Sequence, residues 1–198
     1  MNQKFSEFFG SQWIKVKFYT GDIDLNGAEK AKNIRFCEAT NVAIMHPVVL
    51  DKDNISCLSA QFVLGYRRNF KKELLDNCQN KRRIKDDILK TMFSQIVHFE
   101  KPFKYIGLNT KDEPDLVMSY VSPEQVMQII KRYHDKCGKS LNVSLSPMMS
   151  ICGAIAVKAF LEQNITLSFG CYDSRKFADI RRDRLAIGIP KKLFDVIL

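Results

Sequence analysis

Two hydrophobic periods interleave along this chain, and their alternation narrows the fold more than any other feature. WIKVKFY (13–19), DLVMSYVS (115–122), SLNVSLS (140–146) and RLAIGIP (184–190) alternate apolar and polar residues as half-buried strands do. PVVLD (47–51) and ITLSFG (165–170) read as shorter strands. Between them, GAEKAKNIRFCEATN (27–41), CLSAQFVLGY (57–66), PEQVMQIIKRYHDKCG (123–138), SICGAIAVKAFLEQN (150–164) and KKLFDVIL (191–198) carry apolar residues at helical spacing, and CYDSRKFADIRR (171–182) reads as a short helix or turn. Ser122 with Pro123 marks one helix start and Gly138 its stop. Ser56 is the candidate N-cap of another helix, with Cys57 in its first turn, and Cys37 is expected in the last turns of its own. Pro102, Gly107 and Pro114 read as loop markers. This order predicts an α/β or α+β fold, a single domain over 1–198 in which a mixed sheet is covered by helices.

A chain of 198 residues with 45% hydrophobic and 27% charged residues can bury a core that offsets the entropy of ordering. No apolar run reaches the roughly 18–20 residues that cross a bilayer, and MNQKFSEFFGSQW lacks the apolar stretch of a secretory signal, so a cytoplasmic location without membrane contact is expected. The net charge of +9 is local. Residues 65–104 hold eleven Lys and Arg against five Asp and Glu, which predicts a basic helical insertion at about 65–110. Basic and acidic residues mixed at helical spacing describe a solvated helix face better than a phosphate-binding surface, so nucleic acid is not the expected partner.

Six cysteines (Cys37, Cys57, Cys78, Cys137, Cys152, Cys171) are too sparse for a disulfide scaffold; in a reducing compartment they stay thiols, bind metal or do redox work. Nineteen residues separate Cys37 from Cys57 and eighteen separate Cys152 from Cys171. In each pair the first cysteine falls on a helix and the second begins the next helix after a strand. The match suggests an internal pseudo-repeat that brings four thiols around one axis. Cysteine at a helix start meets unpaired N–H groups, which favour the thiolate. In SFGCYDSRK, Gly170 permits a sharp turn, Cys171 stands at its end and Arg175 lies one helical turn on. No C-x-x-C is present, so a cluster would be assembled from distant segments. Cys78 and Cys137 sit in polar helix-end contexts and are left out of the site.

The segments WIKVKFY, RFCEATN, SCLSAQFVLGY, DLVMSYVSP, SICGAIAVKAFL and LSFGCYDSRK followed by LAIGIP resemble the prokaryotic domain of unknown function 169 family across nearly the whole chain. The resemblance implies one compact domain and cysteines at the positions of Cys37, Cys57, Cys152 and Cys171, with no substrate or cofactor attached. Tyr172 and Asp173 stand where it implies smaller residues.

The expected function is a redox or cofactor-binding protein holding an iron–sulfur cluster, of the four-iron four-sulfur type, or another metal through Cys37, Cys57, Cys152 and Cys171, with Gly170 and Arg175 as cofactor-side residues and Arg175 offsetting its negative charge. Its partner would be a redox protein or a small-molecule substrate. Two alternatives stay open: a thiol enzyme with Cys171 as nucleophile and Arg175 binding an anionic substrate, and a non-catalytic protein binding through the basic helices. Nucleotide-loop, hydrolase-elbow and metalloprotease signatures are absent. His46, His98 and His134 read as structural, although a Cys57–His46 pair is kept as a variant of the thiol-enzyme reading. Met148-Met149 reads as core filler more than as a soft-ligand patch.

Overall fold

A computed structural model describes residues 12–24, 27–67, 72–73, 75–76 and 84–198. Its strands are β1 (Trp13–Tyr19), β2 (Glu29–Lys30), β3 (Val48–Leu50), β4 (Tyr105–Leu108), β5 (Leu116–Val121), β6 (Thr166–Ser168) and β7 (Leu185–Pro190). The helices are α1 (Phe36–Val42), α2 (Leu58–Val63), α3 (Asp86–Ser94), α4 (Pro123–Cys137), a π-helix (Ser150–Val157) that continues into α5 (Lys158–Glu162), α6 (Tyr172–Phe177) and α7 (Lys191–Ile197). All seven strands form one mixed sheet in the order β2-β3-β4-β1-β5-β7-β6. The β2–β3 pair is parallel and the others are antiparallel. The molecule is thus a single mixed α/β domain.

The sheet order holds a repeat. In the first half a long strand, β1, is followed, after the two-residue strand β2, by the Cys37 helix α1, the short strand β3, the Cys57-capped helix α2 and, after α3, the return strand β4. In the second half β5 is followed, after α4, by the Cys152 π-helix with its continuation α5, the short strand β6, the Cys171-capped helix α6 and the return strand β7, with no counterpart of β2 or α3 among the described residues. From the centre outward the halves read β1-β4-β3 and β5-β7-β6, with antiparallel pairing at each matching step. β1 and β5 meet antiparallel, with Ile14 opposite Met118, so a pseudo-twofold axis passes between them perpendicular to the sheet. The connection from α2 to β4 takes residues 64–104, whereas its counterpart from α6 to β7 takes only 178–184.

One face of the sheet offers Ile14, Val16, Phe18, Ile106, Leu108, Leu116, Met118 and Ala186 to the helices α1, α2, α3, α5 and the π-helix. The opposite face, through Trp13, Val117, Ile187 and Ile189, packs against Val126, Ile129 and Tyr133 of α4 and Phe194 and Ile197 of α7. The ends of α4 follow from its sequence. Ser122 Oγ accepts the Gln125 N–H at 3.2 Å while Gln125 Oε1 accepts the Ser122 N–H at 2.7 Å, and Gly138 closes the helix at φ 65°.

Four sequence expectations are corrected here. SLNVSLS forms no strand: residues 142–146 are exposed, so the alternation buries no face, and without burial the period alone does not make a strand. The first helix does not start at residue 27, because Glu29 and Lys30 pair with β3 and Asn33 turns the chain at φ 47°; Cys37 therefore stands in the first turn, not the last. The cap of α2 is Cys57, one residue after Ser56. Residues 105–108, placed in the basic insertion, are strand β4, with Gly107 serving close packing: a Cβ there would lie 2.7 Å from Thr110 Cγ2 and 2.9 Å from the Tyr19 ring. Parts of the expected basic helices, and Cys78, lie outside the described residues.

Candidate functional site

Cys37, Cys57, Cys152 and Cys171 line one cavity of about 650 Å³ on the helical face, where elements of both halves meet. Each arrives by local chemistry. Cys37 is the second residue of α1, after Arg35 leaves helical geometry at ψ 147°. Cys57 caps α2 from an extended backbone (φ −85°, ψ 118°). Cys152 sits in the π-helix, whose first turn is widened: the Met149 carbonyl accepts from Gly153 N–H at 2.9 Å and from Ala154 N–H at 3.0 Å. Met149 itself, on the cavity wall, holds φ 48° and ψ 46°, a left-handed backbone that costs an ordinary side chain about 1 kcal/mol. Gly153 lets α2 come close, since a Cβ there would meet Val63 Cγ1 at 3.3 Å.

Cys171 caps α6, and its Sγ accepts the Ser174 N–H at 3.4 Å while Ser174 Oγ accepts the Cys171 N–H at 2.8 Å. Gly170 takes φ 88°, as the expected sharp turn requires, and its N–H donates to Ser168 Oγ, which shares a 2.6 Å hydrogen bond with Ser150 Oγ under the π-helix.

The pseudo-twofold axis relates Cys37 to Cys152 and Cys57 to Cys171. The two cysteines within helices are buried, and the two cap cysteines are half-buried. Burial pushes the Cys37 thiol up to about 12, with Cys171 and then Cys57 adding like-charge repulsion; the Glu38 N–H and Arg35 act the other way. Burial also holds the Cys152 thiol well above its ordinary range, helped first by Cys57, and opposed by the Gly153 N–H. The strongest thiol–thiol coupling therefore runs between halves, Cys37 with Cys171 and Cys152 with Cys57. Beside them the half-buried Tyr120, its phenol raised by desolvation and by Cys37 and Cys171, bonds Thr40 Oγ1 at 2.7 Å, and Thr40 donates to the Cys37 carbonyl at 2.6 Å.

These shifts carry a pH dependence. A thiol whose folded pKa exceeds its unfolded value of about 9 holds its proton longer when folded. Stability is therefore full below pH 9 and falls as pH rises toward 12, by about 1.4 kcal/mol per pH unit for Cys37. Urea unfolding of metal-free protein between pH 8 and about 11 should show this slope, and Cys37→Ser should reduce it. An unchanged slope in the variant would remove Cys37 as its source.

Arg175, expected beside the cavity, does not line it. Its guanidinium donates to the carbonyls of Phe169 (2.7 Å), Ile180 (3.4 Å), Arg181 (2.6 Å) and Arg184 (3.0 Å), and so clamps the chain on both sides of α6. Among the described residues the cation lining the cavity is Arg35, whose Nη1 pairs with Asp173 Oδ2 at 3.0 Å and whose guanidinium lies over the Phe177 ring at 4.2 Å. Arg35 was not legible as a site residue because its partner lies 138 residues away, although its position two residues before Cys37 is a signal in retrospect. Met148 and Met149 line the cavity as well, and no histidine does among the described residues, so His46 is not brought to Cys57 there. Cys137 ends α4 and packs on the opposite face of the sheet. In the side-chain conformations of the structure, no group of three or more His, Cys, Asp or Glu among the described residues is arranged to hold a metal ion. No described helix is long and apolar enough to cross a membrane.

The family model of domain of unknown function 169, described as Uncharacterised ArCR, matches residues 14–198. No curated protein and no solved structure matches the chain.

Proposed function

The chain belongs to the domain of unknown function 169 family, and from that premise we propose that it is a cytoplasmic redox or cofactor-binding protein whose cavity holds an iron–sulfur cluster, or another thiophilic metal, through Cys37, Cys57, Cys152 and Cys171. One observation carries this reading: two thiols from each half of a repeated fold line the same cavity. A site built twice by the same topology is harder to attribute to incidental core cysteines than four unrelated positions would be.

The residues fit such a group in three respects. The donor set is all sulfur, which selects clusters and soft metals. The Glu38 and Gly153 N–H groups favour negative charge on Cys37 and Cys152, and the Ser174 N–H donates to the Cys171 sulfur. Two of the thiols are disfavoured as thiolates by burial and mutual repulsion, a cost that a cationic centre offsets. A bound cluster would supply one-electron transfer. Arg35 would balance part of the thiolate charge, Phe36 and Ile151 on the wall would limit water, and the half-buried pair Cys57 and Cys171 would form the side open to loading. Because the ligands must shed protons, loading should strengthen as pH rises.

The second reading, a thiol enzyme acting through Cys171, draws on the partial exposure of that residue and the N–H bond to its sulfur. Alkylation mapped by mass spectrometry separates the two. On the cluster reading the four cavity cysteines of protein isolated without oxygen resist iodoacetamide together and become reactive together after a chelator. Fast labelling of Cys171 alone, unchanged by chelator, would favour the nucleophile instead.

A further inference from the structure

The cavity, with a volume of about 650 Å³, falls within the range of small-molecule sites. Its non-thiol wall has the composition of such a site: an apolar side made by Leu58, Met148, Met149 and Ile151, and a few polar groups facing it. Among the polar groups Arg35 is the one built as an anchor. Phe177 holds its guanidinium from one face, at 4.2 Å, and Asp173 holds Nη1 at 3.0 Å. Among the described residues Nε and Nη2 have no acceptor, so one edge of the planar fork is uncommitted. That edge matches the two oxygens of a carboxylate.

We propose that the cavity binds a small organic monocarboxylate, its carboxylate on the Arg35 fork and its apolar body against Leu58, Met148, Met149 and Ile151, beside the four thiols. A single negative charge is the match. Asp173 already neutralises part of Arg35, so a phosphate dianion would meet one half-compensated cation and a nearby carboxylate. The Arg35–Asp173 pair also joins α1 of one half to α6 of the other, so the ligand would bind across the pseudo-twofold axis. The inference uses the cofactor reading only for what the carboxylate faces.

Isothermal titration of the full chain with benzoate tests it, using protein as isolated and after metal removal. Expected are saturable binding in the millimolar range or tighter, a loss of about tenfold or more in Arg35→Gln, at least a similar loss when benzamide replaces benzoate, and no competition by inorganic phosphate. If Arg35→Gln does not fold by circular dichroism, Arg35→Lys keeps the charge beside Asp173 and removes the fork, and should weaken binding comparably. Affinity unchanged by either substitution, or no saturable heat up to about 100 mM benzoate, would overturn the proposal. Metal-free, colourless protein that binds benzoate through Arg35 sustains it while ending the cluster reading. Cluster-loaded protein indifferent to benzoate ends this inference alone.

Discussion

Serine in place of any one of Cys37, Cys57, Cys152 or Cys171 is expected to lower bound iron by about tenfold or more, and Cys137→Ser is expected to leave it unchanged. Serine keeps the size of cysteine but offers a hard oxygen that stays protonated at neutral pH, so the ligand is lost while the packing nearly survives. Cys137 is the internal control, since it lies on the α4 face with the sheet between it and the cavity. The pseudo-twofold sharpens the expectation. Cys37 and Cys152 are equivalent buried ligands, and Cys57 and Cys171 equivalent half-buried ones, so losses should match within each pair. Circular dichroism separates loss of ligand from loss of fold. Wild-type iron in all four variants would end the proposal.

A second large effect is expected at Gly188. This residue lies in β7 between Met118 of β5 and Thr166 of β6, directly under the π-helix. A Cβ there would stand 2.9 Å from the Ile155 carbonyl oxygen, 2.9 Å from Ile155 Cγ2 and 2.9 Å from Thr166 Oγ1. Side chains can rotate away, but a carbonyl within a helix moves only with the helix, and this one carries Cys152. Gly188→Val should therefore cost about 3 kcal/mol and lower Tm by roughly 10 °C, with a loosened cavity as well. Gly21→Ala, where an added Cβ meets nothing within 4 Å, is the matched control and should change stability by less than about 0.5 kcal/mol. Equal stability of Gly188→Val and the wild type would show that the π-helix does not rest on this glycine.

Much of the fold was legible because burial writes its period into the sequence. β1, β5 and β7 each face two different cores, so their residues alternate between clusters and the strands are long enough to register. β4 was not legible. It has four residues, and Gly107, which in isolation signals a loop, is there because Thr110 and Tyr19 pack over it. SLNVSLS has the period without the burial: its residues 142–146 stay exposed, and local pattern cannot say whether an alternating face will find a core to pack on. The π-helix was equally hidden, since SICGAIAV satisfies helical spacing whichever carbonyl each N–H reaches.

The four cysteines could be read because the repeat is preserved in their spacing, nearly equal in the two halves, and the cavity now unites them. What surrounds them could not be read. Arg175 looked like the site cation from its place one turn after Cys171, yet four carbonyls claim it. Arg35 and Asp173 meet only through the folded contact of α1 with α6. Tyr120 reaches Thr40, beside Cys37, from the central strand β5, a position that its alternating segment marks as inward-facing without saying toward what.

The central claim is that the two halves of this fold bring four thiols together to hold one thiolate-bound centre. The visible absorption spectrum of the full chain purified without oxygen, with iron and acid-labile sulfide quantified on the same sample, tests it most directly. The account predicts charge-transfer absorbance with iron and sulfide in whole-number ratio to the chain, lost on chelation. Protein that is repeatedly colourless and free of bound metal under those conditions would contradict it.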